Sequence, residues 1–250
     1  MFLTNIIELT SVNNDIVKAI SALNDKKYRK STNKIILEGE KSILGAIEAG
    51  YEIIDLFYEN EKFNFSAKNK YKVNQKILEK LSSTKSGAPV VGTILRPEFD
   101  IVEFKKFKKI VLLDSIKDAG NLGTIIRSAL AFGIDGIVLA GEYIDPFSPK
   151  VIRASAGNIF KMPILETLEP EKFKDTHKFL TTVVSGGKPL SKADLEEKFI
   201  LVMGSEATGI SKKFEELSDK LITLDIKNSV ESLNLSVCAS IFFYEINKLN

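Results

Sequence analysis

The stretch IVLLDSIKDAGNLGTIIRSALAFGIDGIVLAG, residues 110–141, decides the fold class. IVLLD (110–114) is an unbroken apolar run of strand length that ends on an aspartate. Residues 121–132 then carry apolar side chains at helical spacing, and GIVLAG (136–141) is a second apolar run. A strand, a helix and a strand in so short a stretch describe a parallel crossover unit. The pattern continues outward. SPKVIRASAG (148–157) reads as a short helix, FLTTVV (179–184) and FILVMG (199–204) as strands, and LITLDI (221–226) as an extended run before a closing helix over 232–248. Strands alternating with helices predict an α/β fold, a mostly parallel sheet with helices on both faces.

Upstream the elements are smaller. VNNDIVKAISALN (12–24) puts Ile16, Ala19, Ile20 and Leu23 on one helical face. A basic stretch, KKYRKSTNK (26–34), precedes a short strand, IILEG (35–39). EKSILGAIEAG (40–50) is a helix with Gly50 as its stop, YEIIDLFY (51–58) is a strand, and APVVGTIL (88–95) is another. Between them, residues 62–85 carry seven Lys and one Glu, with a short helix near Gln75–Leu81. Turn and charge signals at Pro97–Asp100 and in KKFKK (105–109) mark a seam. The expected domains are therefore 1–104, a small α/β unit, and 105–250.

Composition excludes more than it proposes. The chain has 35 basic and 33 acidic residues, so bulk charge alone gives little reason to expect a nucleic-acid partner. One cysteine and one histidine exclude a disulfide framework, a Cys-based zinc cluster and a multi-histidine metal site. Cys238, at helical spacing among Leu235, Ile241 and Phe242, reads as core, and His177 as the polar start of a strand. No run approaches the ~18 apolar residues of a membrane span. MFLTNIIELTSVNND lacks the features of a secretory leader, so the expectation is cytoplasmic.

Open parallel sheets bind ligands in the loops at the carboxyl ends of their strands. Three such loops stand out. Asp118–Arg127 enters a helix whose unpaired N–H groups suit an anion, with Asn121 and Arg127 within two turns of each other. Met203–Ile210 is a strand end running into a loop flanked by Gly204 and Gly209 and displaying Glu206. Glu231–Val237 places Ser232 and Asn234 at the entry of the last helix. Each alone is also what an ordinary capped helix start looks like. Neither G-x-G-x-x-G nor a phosphate-binding G-x-x-x-x-G-K-[ST] occurs in them, which removes the usual support for dinucleotide or nucleoside-triphosphate binding.

Taken together and in order, N-x-G-x-x-x-R, G-S-E-x-x-G-I and E-S-L-N closely resemble the SpoU (TrmH) family of RNA ribose 2′-O-methyltransferases, over roughly residues 108–250. SPKVIRASAGNIFKMPI (148–164) fits the same family, and YRKSTNKIILEGEKSILGAIEAG (28–50) resembles its N-terminal substrate-binding domain, related to the L30e ribosomal-protein fold. The resemblance implies a deep trefoil knot in the second domain and S-adenosylmethionine as cofactor, held around Gly204, Leu224, Ile226 and Leu233. Gly204 is expected to let the backbone approach the cofactor, and the Leu and Ile side chains to wall an adenine. Arg127 matches the family's catalytic arginine; Asn121, Glu206, Ser232 and Asn234 match its other polar site positions. A guanidinium stays protonated, so Arg127 is expected to hold the target phosphate and stabilise the developing oxyanion rather than act as base.

Two departures concern the cofactor loop. Asp225 and Asn228 stand where the family usually has Pro and Gly, and Ala119 where it often has Pro. RNA is expected to meet Lys27, Arg29 and Lys30 and the Lys-rich 62–85 segment, with Tyr28 or Tyr71 stacking on an unpaired base. Ribosomal RNA is the favoured substrate and transfer RNA the alternative. A catalytically inert RNA-binding or ribosome-assembly protein on the same scaffold is the competing class. The resemblance also implies a homodimer through the C-terminal domain, for which Phe242, Phe243 and Ile246 on the last helix supply candidate apolar surface.

Overall fold

The structure is a computed structural model and describes residues 6–205, 209–226 and 233–249. In chain order its elements are β1 (Ile6–Leu9), α1 (Asp15–Ala22), α2 (Lys26–Thr32), β2 (Lys34–Glu38), α3 (Glu40–Glu48), β3 (Asp55–Tyr58), β4 (Asn69–Val73), α4 (Gln75–Leu81), β5 (Val90–Leu95) and α5 (Ile101–Phe104). There follow β6 (Lys109–Asp114), α6 (Ala119–Ala131), β7 (Gly136–Ala140), α7 (Pro149–Ala154), β8 (Ile164–Glu166), β9 (Lys178–Thr182), β10 (Lys188–Pro189), β11 (Phe199–Met203), α8 (Lys212–Leu217), β12 (Lys220–Thr223) and α9 (Leu235–Lys248).

The chain divides into two compact units. The first comprises Met1–Pro97 together with Asp145–Lys161; the second comprises Glu98–Ile144 and Met162–Asn250. The division thus falls at Pro97 rather than at residue 104. It also takes the whole 145–161 segment, α7 included, out of the unit to which a single continuous boundary assigned it.

The first unit holds a five-stranded mixed sheet, ordered β1-β4-β3-β5-β2. Val17, Ile20 and Leu23 from the α1 region and Ile77, Leu78 and Leu81 of α4 pack over Ile36, Phe57, Tyr71, Val73 and Val91 of the sheet. Phe57 and Tyr71 sit opposite each other on neighbouring strands, and their rings stack at 4.7 Å. The 62–85 segment therefore contains a strand, β4, that its lysines conceal: Tyr71 and Val73 point inward while Lys72 points out. Asparagine side chains start α1 and α4, Asn14 accepting from the Ile16 N–H and Asn74 from the Ile77 N–H.

The 145–161 segment is fastened into this unit by charge. Asp145 is 4% exposed and receives Arg29 Nη2 at 2.7 Å and Arg96 Nη1 at 3.2 Å. Arg29 Nη1 also donates to the Leu23 carbonyl at 2.7 Å, and the Arg96 guanidinium lies over the Phe147 ring. Arg153 pairs with Glu38, and Lys161 with Glu48. Gly157 admits no side chain, because a Cβ there would stand 2.7 Å from the Lys41 carbonyl oxygen. Arg29 was expected to meet RNA, and this corrects it. At 2% exposure its guanidinium is spent on Asp145 and a backbone carbonyl and cannot reach a phosphate.

The second unit is built on a seven-stranded sheet, ordered β10-β12-β9-β11-β6-β7-β8, and every pair in it is parallel. The chain leaves β6 for β7 and β8, then returns to fill the other half with β9, β11 and β12. One face is packed by Phe104, Phe173, Phe179, Phe214 and the inward side chains of the strands. Gly136 is required there, since a Cβ would lie 2.8 Å from the Phe104 ring. On another side α6 packs against α9. His177, just before β9, is 2% exposed. Its Nε2 donates to the Phe107 carbonyl at 2.9 Å, so Nδ1 accepts from the Thr176 hydroxyl at 2.8 Å. Burial pushes its pKa below the ordinary histidine value, which keeps the ring neutral and structural. No helix among the described residues is long and apolar enough to cross a membrane.

Candidate active site

The carboxyl ends of β9, β11 and β12 open onto a cavity of about 540 Å³, within the usual size of small-molecule sites. Val183, Val184 and Ser185 follow β9; Gly204, Ser205, Gly209 and Ile210 follow β11; Leu224 and Ile226 follow β12. Leu233, Leu235, Cys238 and Phe242 close it from the start of α9. The walls are mostly apolar, with Thr182, Ser185, Thr223 and Glu215 also among the lining residues. Gly204, Leu224, Ile226 and Leu233, named from the sequence as cofactor residues, all lie on this surface.

The β11 loop is shaped by its two glycines for different reasons. Ser205 and Gly209 form an antiparallel bridge, with the Ser205 N–H donating to the Gly209 carbonyl (3.1 Å) and the Gly209 N–H to the Ser205 carbonyl (3.0 Å). Gly209 holds φ +66°, a region that favours glycine. Gly204 is needed for close packing instead: a Cβ would overlap the Gly209 carbonyl carbon and oxygen and stand 2.6 Å from the Ile210 nitrogen. Gly204 thus makes room for the backbone of Gly209 and Ile210, which lines the cavity beside it.

The Asp118 side chain accepts from the Asn121 N–H at 2.7 Å and caps the first turn of α6, which begins at Ala119. Asn234 caps α9, its Oδ1 accepting from the N–H groups of Ser236 and Val237, while its Nδ2 donates to Asn121 Oδ1 at 3.1 Å. The Ser240 hydroxyl donates to the Ser236 carbonyl at 2.7 Å, so Ser128 donates to Ser240 across the α6–α9 interface, at 2.6 Å. Asn121 and Asn234 are therefore brought together.

Arg127 is not brought to them. It is exposed on α6 and is not among the residues lining the cavity. Six residues of helix turn it about 120° from Asn121. Glu206 and Ser232, with Asn228, lie outside the described residues. Two expectations for α9 change. Cys238, read as core, is half-buried and lines the cavity, where burial raises its thiol pKa to about 11. Phe242, Phe243 and Ile246 are fully buried, so the exposed apolar face of α9 is instead Val237, Ile241 and Tyr244. The β9 contribution was not anticipated, although Thr181–Gly187, a strand end running into Ser-Gly-Gly, carried a signal of the kind that marked the other loops.

A family model, the SpoU rRNA Methylase family, matches residues 108–244, more than half of the chain. The chain belongs to the SpoU rRNA methylase family. A model of the MRM3-like substrate binding domain matches residues 14–92 of this SpoU-family chain. An uncharacterized tRNA/rRNA methyltransferase of Synechocystis is 29% identical, over 98% of this chain and 95% of its own length. The 23S rRNA (guanosine(2553)-2′-O)-methyltransferase RlmP of Bacillus subtilis is 26% identical, over 96% and 98%. Among solved structures, an AdoMet-bound rRNA methyltransferase from Sinorhizobium meliloti matches with a TM-score of 0.86 at 28% identity, covering 98% of both chains.

Proposed function

We propose that this chain transfers a methyl group from S-adenosylmethionine to a ribose 2′-hydroxyl of ribosomal RNA, in the cytoplasm. The observation that carries the reading is the cavity at the ends of β9, β11 and β12, in a chain of the SpoU family. Its size suits an adenosyl group, and Leu224, Ile226 and Leu233 give an adenine apolar walls. S-adenosylmethionine supplies a methyl on a sulfonium, an already activated leaving group. The protein must then orient the ribose hydroxyl for in-line attack and help a weak acid lose its proton. Arg127 binds the target phosphate and stabilises the developing oxyanion, and the proton leaves to a substrate phosphate or to water. Asn121, Glu206, Ser232 and Asn234 complete the polar site around the ribose. The family's trefoil knot is part of the reading.

Two observations support a homodimer through the second unit as part of this reading. Arg127 lies away from the cavity of its own chain, and α9 exposes Val237, Ile241 and Tyr244. In the dimer each Arg127 serves the partner's cofactor site.

The test of the site is calorimetry with S-adenosylmethionine on the wild type and on Gly204→Ala. Wild-type binding is expected, and Gly204→Ala weakens it by about tenfold or more, because overpacking against backbone costs ~1–3 kcal/mol. Equal affinities would place the cofactor elsewhere, and no wild-type binding at millimolar cofactor would favour the inert RNA-binding class.

RNA is met by the first unit. Lys26, Lys27, Tyr28 and Lys30 are exposed on α2, with Tyr28 available to stack on a base. Removing Lys27 and Lys30 together is expected to reduce the slope of log affinity against log salt by about 1.5. An unchanged slope would move the RNA interface to another surface.

A further inference from the structure

Asp114 ends β6 and is not among the residues that line the cavity. It is 4% exposed, and among the described residues no lysine or arginine pairs with it. A buried carboxylate without a cation is costly unless donors satisfy it. Two donors do. The Ser211 N–H reaches Oδ2 at 2.8 Å, and the Ser115 hydroxyl reaches Oδ1 at 3.0 Å. Ser115 holds φ +66°, a left-handed conformation uncommon for a residue with a side chain. Gly141, after β7, is side-chain-free where a Cβ would overlap the Ser115 hydroxyl and stand 3.0 Å from Asp114 Oδ1. Two strand ends and the start of α8 thus meet at one carboxylate.

What that carboxylate holds is the cofactor wall. Ser211 directly follows Gly209 and Ile210, which line the cavity, and Ile210 also packs on the core of the sheet. Gly209 in turn bridges Ser205 and lies against Gly204. The Ser211 N–H ties this loop to β6. We propose that Asp114 is a positioning residue of the cofactor site, fixing the Gly209–Ile210 wall through the Ser211 N–H. The proposal rests on the methyltransferase reading above.

The experiment measures S-adenosylmethionine affinity by calorimetry, methyl-transfer kinetics on ribosomal RNA, and melting temperature, on the full chain. Asp114→Ala is expected to raise the cofactor Kd and KM about tenfold, the scale of one charge-assisted hydrogen bond, with kcat at saturating cofactor and KM for RNA held. Asp114→Asn keeps an acceptor for the Ser211 N–H and is expected to recover to within about threefold of wild type. A second variant approaches from the donor side and serves if Asp114→Ala does not fold. Ser211 has φ −74°, within the range of proline, and its hydroxyl makes no capping bond. Ser211→Pro therefore removes the N–H without straining φ at residue 211. Measured against Ser211→Ala, which keeps it, Ser211→Pro is expected to show the same tenfold loss. Wild-type binding with equal affinity in Asp114→Ala or Ser211→Pro, whether or not melting temperature falls, overturns the assignment and leaves the methyltransferase reading standing. A wild type that binds no S-adenosylmethionine overturns that reading and this assignment with it.

Discussion

Replacing Arg127 with alanine is expected to lower turnover on ribosomal RNA by about 10²–10³-fold, the usual cost of removing one donor aimed at a developing oxyanion. Affinity for S-adenosylmethionine stays at the wild-type value, because the role proposed for Arg127 is to grip the RNA phosphate and the developing oxyanion rather than the cofactor. Arg127→Lys keeps the charge but loses the planar fork that grips a phosphate, so most of the loss persists. Nearly full turnover in Arg127→Lys would remove the oriented guanidinium from the account. The proposed homodimer adds a second expectation. Mixing Arg127→Ala with Gly204→Ala subunits places an intact Arg127 across from an intact cavity at one of the two sites. Activity is then recovered beyond the sum of the two parents. No recovery after subunit exchange would mean that each chain completes its own site.

Asp145→Ala is expected to cost about 3–5 kcal/mol of stability, the penalty for leaving a buried charge without its partner. Here two buried guanidiniums lose their shared carboxylate, since the side chains of Arg29 and Arg96 are 3% and 7% exposed. Such a loss is a large share of the ~5–15 kcal/mol of a typical domain. Urea unfolding of the full chain measures it, and a change below 1 kcal/mol would mean that the arginines find water or new partners. The dependence on pH has a definite sign. Burial alone would raise the Asp145 pKa, but the charges of Arg96 and Arg29, with hydrogen bonds from Arg29 and the Phe147 N–H, hold it below the usual carboxylate value. A depressed folded pKa gives stability that is complete above the unfolded value, about 3.9, and is lost as pH falls through the folded one. The gap between wild type and Asp145→Asn is therefore expected to narrow below about pH 4.

The parts of this fold that were legible in the sequence are those whose physics is local. β6, α6 and β7 follow from apolar runs and a helical period, and α4 from its seven-residue pattern. β4 was hidden because exposed lysines alternate with Tyr71 and Val73, so that charge count masked a strand period. The role of Arg29 was beyond local reading. Its partner lies 116 residues away in a segment that interrupts another sheet. The three site loops were legible as strand ends with glycines and polar groups, but what each group does depends on contacts across the fold. Gly204 answers to the backbone of Gly209, and Asn121 to Asn234. Asp114 was readable only as the last residue of a strand; its buried bond to Ser211 required the structure.

The most direct measurement is ribose-methylation mapping of RNA treated with S-adenosylmethionine and the protein, with Arg127→Ala in parallel. The account predicts one added 2′-O-methyl group in ribosomal RNA that is missing with Arg127→Ala. An added methyl on a base, one confined to transfer RNA, or one equally present with Arg127→Ala would contradict it.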